Sequence, residues 1–541
     1  VSLKMRCFDL TILFLIYNDN FCSSETFRAA VVEHAVLLPQ DRNGQVSREE
    51  AKKNMLKNLQ FYTNYAEKAA SQGADIIVFP EDGIYGPGFS WSGLTPYLEY
   101  IPDPNTVSWV PCTDPGKYGD SFVQEYLSCL ARNNSMYLVA NMGDIQPCDK
   151  TDGEACPKGH YQYNTDVSFD SSGRLLARYH KQNLFFEFQF TTPKKNHPTV
   201  FDTPFGRFGM FTCFDILFEN PPIDLVETMK IRNIAFPTAW MDVLPHLAAI
   251  EFHSAFAADL KLNFLAANIH WPENRFHGSG IYSPTGPKTF YYNNSIGSDG
   301  KLLIKDLDVI DSEERGAPSN RIDFIPYDHV DRTNTLEFTR ETREYETFYS
   351  HVFHDLFKFQ ILHEKSGYVE LCNNGLCCSL SYEIMKITGD EMYAFGAFRG
   401  MHTYQGRYFI EVCLLLKCAS KEAGSCGQEV KSAQSTLKSF SIQGNFSSKF
   451  VFPEILLSEE NEQLSLSMRN WTYDDGKLLV EEGFSNGKPL ISSALFGRNY
   501  DQDKLHVQAE YKSYFTSNGS HKNVKTTSFI WLFFLVGSLH L

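Results

Sequence analysis

Phe205-Gly206-Arg207-Phe208-Gly209-Met210-Phe211-Thr212-Cys213-Phe214-Asp215 is the stretch on which the reading of the fold turns. The run Phe208 to Thr212 is short, apolar and set off by Gly206 and Gly209. That pattern predicts a buried strand of a parallel or two-layer sheet. It ends at a lone Cys. After Pro221-Pro222, the residues Ile223, Val226, Met229 and Lys230 recur at helical spacing. A thiol on the turn between strand and helix sits near helix-terminal N–H groups, which favour a thiolate and can hold an oxyanion. A buried, inert Cys or half a disulfide would leave the same local pattern.

Two further stretches bear on that choice. Ile76-Ile77-Val78-Phe79-Pro80-Glu81-Asp82-Gly83 runs an apolar strand into a carboxylate. Arg178-Tyr179-His180-Lys181 follows the hairpin signal Asp170-Ser171-Ser172-Gly173 and brings an ammonium to the end of another strand. A carboxylate, an ammonium and a thiol thus occur in chain order, each just past a strand. The scaffold holds such positions while the strand end stays open.

At these three stretches the chain resembles the nitrilase superfamily, whose catalytic set is Glu-Lys-Cys in this order. Thr203-Pro204-Phe205-Gly206, Cys213-Phe214-Asp215-Ile216, Pro237-Thr238-Ala239-Trp240-Met241, Val243-Leu244-Pro245-His246 and Gly278-Ser279-Gly280-Ile281-Tyr282 resemble its vanin and biotinidase branch. The resemblance spans roughly residues 25 to 500. It implies an α/β fold, a nitrilase-type four-layer αββα sandwich, with a second, mostly β C-terminal domain.

The resemblance implies an amidohydrolase with Cys213 as nucleophile, Glu81 as proton acceptor and general acid-base, and Lys181 stabilising thiolate and oxyanion. The backbone N–H of Phe214 would complete the oxyanion site. The substrate implied by the vanin side of the branch is pantetheine, cleaved through a Cys thioester to pantothenate and cysteamine. Biotinyl amides are the alternative, and a catalytically weak surface binding or adhesion protein on the same fold is a third. Asp82 and Asp215 compete for the acid role and rank below Glu81. Glu187, among the aromatics Phe186 and Phe188, is either a second acid beside Lys181 or a loop-surface residue. Asp242 stands where the family commonly carries Asn; if it touches substrate, its charge alters specificity or weakens activity.

Composition narrows the class. The chain has 541 residues and a net charge of −16. That length exceeds one ordinary core, and that charge argues against a nucleic-acid partner. The thirteen Cys fit an oxidising compartment. Setting aside Cys7, Cys22 and Cys213 leaves ten, an even number, four before residue 160 and six after 370. No cofactor is implied. His246, His253, His270 and His277 do not have the spacing of a zinc helix, and no metal is expected. No Gly-x-Ser-x-Gly elbow precedes a helix.

Lys4 and Arg6 before the run Leu10 to Tyr17, with small residues near Ser23-Ser24, read as a signal peptide over 1–24. Sequons stand at Asn133, Asn293, Asn445, Asn470 and Asn518. Near the other end, Asn518, Gly519 and Ser520 precede a polar spacer and an apolar tail. That is the layout of a GPI-attachment signal over 516–541 whose tail is removed, which would place the protein on the extracellular face of the cell membrane.

Strands alternating with helices fill 25–310, the expected catalytic domain. Residues 311–335, rich in charge, Pro, Ser and Asn, read as a linker. A base domain over 336–515 is expected to open on a helical segment near Thr342 to Phe353 and to continue as strands.

Overall fold

The structure is a computed structural model that describes residues 26–44, 46–148, 156, 158–195, 197–310 and 346–505. The expected signal peptide, the 311–335 linker and the lipid-attachment segment with Asn518, Gly519 and Ser520 lie outside the described residues.

Two six-stranded mixed sheets form the catalytic domain. The first has the order β12-β1-β2-β3-β4-β5, where β1 is Thr26–Glu33, β2 Ile76–Val78, β3 Tyr137–Pro147, β4 His160–Phe169, β5 Leu175–His180 and β12 Lys301–Asp308. The second has the order β11-β10-β9-β8-β7-β6, where β6 is Thr199–Thr203, β7 Gly206–Met210, β8 Asn233–Thr238, β9 Asn263–Asn268, β10 Ser279–Ser283 and β11 Gly286–Tyr291. Each sheet has one antiparallel edge pair, then two parallel pairings, then two antiparallel ones. The two halves of the domain therefore repeat one pairing pattern. The sheets face each other across Val31, Ile76, Val78 and Val139 on one side and Phe208, Met210, Ile234 and Phe236 on the other.

Helices cover the outer faces. Helix α1 (Arg48–Ser71) buries Ala51, Met55, Leu59, Tyr62, Ala66 and Ala69, spaced by three or four residues, against the first sheet. Ser47 caps it by accepting the Glu50 N–H at 3.2 Å. Beyond the short helix α2 (Trp91–Leu94), helix α3 (Phe122–Asn133) covers the same face. Helix α4 (Ala249–Leu260) lies over the second sheet and is buried on nearly every side, because a further domain packs on it. A helix apolar all round belongs between two layers.

That further domain is antiparallel β throughout its described strands. It pairs a seven-stranded with a five-stranded sheet across Val369, Leu380, Phe395, Leu415 and Ile442. The outer face of its larger sheet meets α4: Phe452 lies 5.6 Å from Phe252 and 5.4 Å from Phe256, and Phe496 lies 5.6 Å from Phe252, centre to centre. The layers thus run α, β, β, α, β, β.

Two expectations are corrected. Thr347–Val352, expected to be helical, is an edge strand paired with Asp355–Ile361; Phe348, Ser350 and Val352 alternate inward at strand spacing. The segment after Pro221-Pro222 is no α-helix. A single π-wound turn, Asp224–Thr228, ends at Lys230 in the left-handed region.

The even Cys count holds among the described residues, as five disulfides and one free thiol. Cys112 pairs with Cys129, Cys148 with Cys156, Cys372 with Cys377, Cys378 with Cys413 and Cys418 with Cys426; Cys213 is free.

Candidate active site

Strand direction brings the three expected groups together. β5 is antiparallel to β4, β4 to β3, and β3 is parallel to β2. The ends of β2 and β5 therefore open on the same side of the sheet, carrying Glu81 and Lys181. Cys213 follows β7 in the facing sheet.

Lys181 Nζ donates to Glu81 Oε1 at 2.7 Å and also to Glu187 Oε1. Asn164 Nδ2 donates to the same Glu81 oxygen at 2.7 Å and to Glu187 Oε2 at 2.8 Å. The other Glu81 oxygen accepts the Ala239 N–H, at the end of β8, at 2.8 Å. Groups from the ends of β5 and β8 and from the middle of β4 thus fix one carboxylate beyond the end of β2. Glu187 is settled as a partner of Lys181, not a surface residue. Asn164 is held in turn by Asn141 Nδ2 at 2.6 Å. Sequence reading missed both asparagines: each lies inside a strand with other polar residues, and no local pattern marks it.

Cys213 lies 5% exposed with φ of +46° at the start of a 3₁₀ turn, Cys213–Leu217. A side chain at positive φ is strained, so its surroundings must hold it. Asp215 does so. Its Oδ2 accepts the Thr212 N–H at 3.1 Å and the Tyr179 hydroxyl at 2.7 Å, and its Oδ1 accepts the Asn183 N–H at 2.8 Å. Asp166 accepts the Thr212 hydroxyl at 2.7 Å. Asp215 therefore braces the turn and is not the acid. Asp82, the other competitor, is buried, and its N–H donates to Asn141 at 3.1 Å. Phe214 follows Cys213 at the open start of the turn, where N–H groups lack helical acceptors.

Burial, then the charge of Glu81, push the Cys213 thiol well up, and Lys181 offsets only part of that. Burial first, and then the facing Glu81, thus favour the protonated sulfur over the thiolate. Burial works against the Lys181 ammonium, but Glu187 and Glu81 outweigh it and hold its affinity for the proton well above the usual lysine range. Burial raises Glu187, with Lys181 opposing. Burial, then Glu81 and Glu187, raise Asp82. The arrangement is the Lys181 amine between the Glu81 and Glu187 carboxyl groups, with the Cys213 sulfur nearby. Such a set can pass the thiol proton to Glu81 as the sulfur attacks a carbonyl, and return it to a leaving amine.

The cleft in front of Cys213 is lined by Phe185, Phe214, Trp240 and Met241 from the catalytic domain, and by Phe353, Gln405 and Tyr408 from the C-terminal domain. Those last three were not legible in the sequence.

Asp242 does not belong to this set. It is 4% exposed, and its Oδ1 accepts the Ala249 N–H at 2.7 Å, capping α4 from behind the cleft wall. The expectation that its charge could meet substrate fails for that reason. The four histidines lie apart from the cleft, with His270 Nδ1 on Glu33 at 2.6 Å and His246 packed at 5.5 Å from Phe496. Of the sequons, Asn133, Asn445 and Asn470 are exposed and Asn293 is half-buried.

Residues 37–249 match the carbon-nitrogen hydrolase family model, and residues 346–503 match that of the vanin C-terminal domain. The pantetheinase of Mus musculus is 47% identical over 89% of this chain and 90% of its own length. The pantetheinase of Homo sapiens is 45% identical over 91% and 92%. The biotinidase of Takifugu rubripes is 40% identical over 88% and 95%.

The chain belongs to the carbon-nitrogen hydrolases, in their vanin and biotinidase branch.

As a carbon-nitrogen hydrolase it acts on amide C–N bonds. The nitrilase-type sandwich and the added β domain are those the sequence resemblance implied. In this branch member the second domain is not a remote appendage, since it closes one side of the cleft.

Proposed function

We propose that the protein hydrolyses the amide of pantetheine, releasing cysteamine and pantothenate through a Cys213 thioester. The observation that carries this is the convergence of Glu81, Lys181 and Glu187 on one buried hydrogen-bonded set beside a single free thiol at the foot of a two-domain cleft. The identity to two pantetheinases over nine-tenths of the chain supports the choice of substrate.

In this reading Glu81 takes the thiol proton as Cys213 attacks the carbonyl. Lys181 and the Phe214 N–H stabilise the oxyanion, worth about 3–4 kcal/mol for one such donor. Glu81 then protonates the departing amine and activates the water that clears the thioester. Glu187 keeps Lys181 aligned while Glu81 exchanges its proton.

The test is hydrolysis of pantetheine by the full chain beside its Cys213→Ala and Glu81→Gln variants. Loss of at least about a thousandfold in kcat/KM in each supports the reading; undiminished turnover in Cys213→Ala ends it. Biocytin run in parallel decides the biotinyl-amide alternative, and inactivity on both amides would favour a binding protein.

We further propose passage through the secretory pathway, glycosylation at Asn133, Asn293, Asn445, Asn470 and Asn518, and a GPI anchor near Asn518 to Ser520. Five disulfides suit that route. Release from intact cells by phosphatidylinositol-specific phospholipase checks the anchor; retention in the membrane fraction after treatment counts against it.

A further inference from the structure

The two walls of the cleft differ in polarity. The catalytic domain presents carbon: Phe185, Leu217, Met241 and the face of Trp240. The Trp240 indole N–H is already spent on the Leu247 carbonyl at 2.8 Å. Cys213 aside, the polar side-chain tips in the wall are the Gln405 carboxamide and the Tyr408 hydroxyl, both from the C-terminal domain. Neither makes a hydrogen bond among the described residues. Among the described residues, no charged side chain lines the cleft.

Gln405 is also held in place. It sits at φ of +55°, followed by Gly406 at +148°. A Cβ at Gly406 would stand 2.8 Å from Cζ of Phe214, so this turn is seated on the ring of the residue next to the nucleophile. Behind it, His402 Nδ1 meets Asp355 Oδ2 at 2.7 Å, and His402 Nε2 meets the Tyr404 carbonyl. His354 stacks on Tyr404 at 3.6 Å between ring centres. A left-handed turn braced on both sides presents its side chain in a fixed direction.

We infer that Gln405 is a specificity-determining residue: its carboxamide holds the polar acyl chain of the substrate, from a domain that takes no part in the proton transfers. The inference rests on the amide-hydrolase reading of the same cleft and adds a substrate class to it. A carboxamide both donates and accepts, so it matches a hydroxyl or a second amide on the acyl side. A wall without charge disfavours an ionised acyl chain, which would give up its hydration for nothing. The class is a neutral acyl amide carrying a hydroxyl or amide remote from the scissile bond. An apolar cleft with a few placed polar groups takes its orientation and selectivity from those groups.

The test compares two substrates with the same leaving group, pantetheine and the cysteamine amide of a plain straight-chain acid, on the full chain and its Gln405→Met variant. The expected result is a roughly tenfold rise in KM for pantetheine, with kcat and the plain amide's kcat/KM within about twofold. An unchanged KM for pantetheine overturns the inference, as does an equal loss on both substrates, which would mark a structural role. The rate of Cys213 alkylation by iodoacetamide reports whether the site is still assembled. Should Gln405→Met lose its fold, Gln405→Asn suits the left-handed turn and keeps the amide on a shorter stem; an unchanged pantetheine KM there, with the plain amide also unchanged, overturns the inference in its place. A wild-type chain that leaves pantetheine intact would instead end the underlying reading, so the two failures are distinct.

Discussion

Arg498 of the C-terminal domain donates through Nε to the carbonyl of Leu217 at 2.8 Å, across the domain boundary and at the last residue of the turn that Cys213 begins. Its guanidinium is fully buried. Nη1 donates to the Phe409 carbonyl and Nη2 to Asp503 at 2.6 Å, and the plane lies 5.0 Å over Tyr408 and 4.7 Å over Tyr500. One side chain thus joins the nucleophile's turn, a residue of the cleft wall and the last described segment of the chain.

Replacing Arg498 with Met strands the Leu217 carbonyl, leaves the Phe409 carbonyl with the Asn499 N–H alone, and leaves Asp503 without its cation. Breaking such a buried set costs about 3–5 kcal/mol. The expected outcome in urea unfolding is an unfolding free energy lowered by that amount, with pantetheine turnover falling in the folded fraction as the turn loosens. Arg498→Lys recovers little, since an ammonium cannot serve three acceptors in one plane. Unaltered stability in both variants would show that the guanidinium does not bind the domains together.

Glu187 shares Lys181 with Glu81. In Glu187→Gln the ammonium turns wholly to Glu81 and lowers that carboxylate's readiness to take the thiol proton. The expected result is a fall in kcat of about ten- to a hundredfold, at nearly constant KM, in a protein that still folds. A change confined to KM would place Glu187 in substrate binding instead.

The expected trio Glu81, Lys181 and Cys213 was legible because each lies just past a strand and the family resemblance implies that order. Asn141, Asn164 and Asp166 were not, since they stand among other polar residues of β3 and β4 and their meaning comes only from pairing. Glu187 was legible as an oddity, a carboxylate among aromatics, and a place beside Lys181 was one of its two readings. The C-terminal wall was hidden for another reason: Phe353, Gln405 and Tyr408 lie about 140 to 200 residues from Cys213 and share no motif with it. The strand Thr347–Val352 reads as helical by its period, and tertiary pairing with Asp355–Ile361 overrides that preference.

Cys378 and Cys413 link the five-stranded sheet to the seven-stranded one, closing a span of 35 residues. Constraining a loop of that length stabilises by about 3–4 kcal/mol. The double variant Cys378→Ala, Cys413→Ala is expected to melt at lower temperature and to lose pantetheine affinity before it loses Cys213 alkylation, because the C-terminal wall loosens first. Equal stability with and without the bridge would mean that the sheets need no cross-link.

Asp242 gives a pH signature with a defined sign. Burial, against the Ala249 N–H, Tyr292 and Arg275, raises its carboxyl from 3.8 to about 7. The unfolded chain releases this proton near pH 4, whereas the folded chain keeps it until about 7. Between those values the folded state holds more protons, so stability falls as pH rises, and above 7 the whole cost is present. A shift of that size corresponds to at most about 4 kcal/mol. Asp242→Asn removes the charge and keeps an oxygen for the Ala249 N–H. The variant is therefore expected to be more stable than the natural chain at pH 8 by about 1–4 kcal/mol, with the difference shrinking toward zero by pH 4. Urea midpoints measured at pH 4.5, 6 and 8 read this directly; a difference independent of pH would show that Asp242 does not carry the buried proton. Because the side chain lies behind the wall that Met241 and Trp240 present to the cleft, KM for pantetheine should not move. A shifted KM with unshifted stability would put the carboxylate back in contact with substrate.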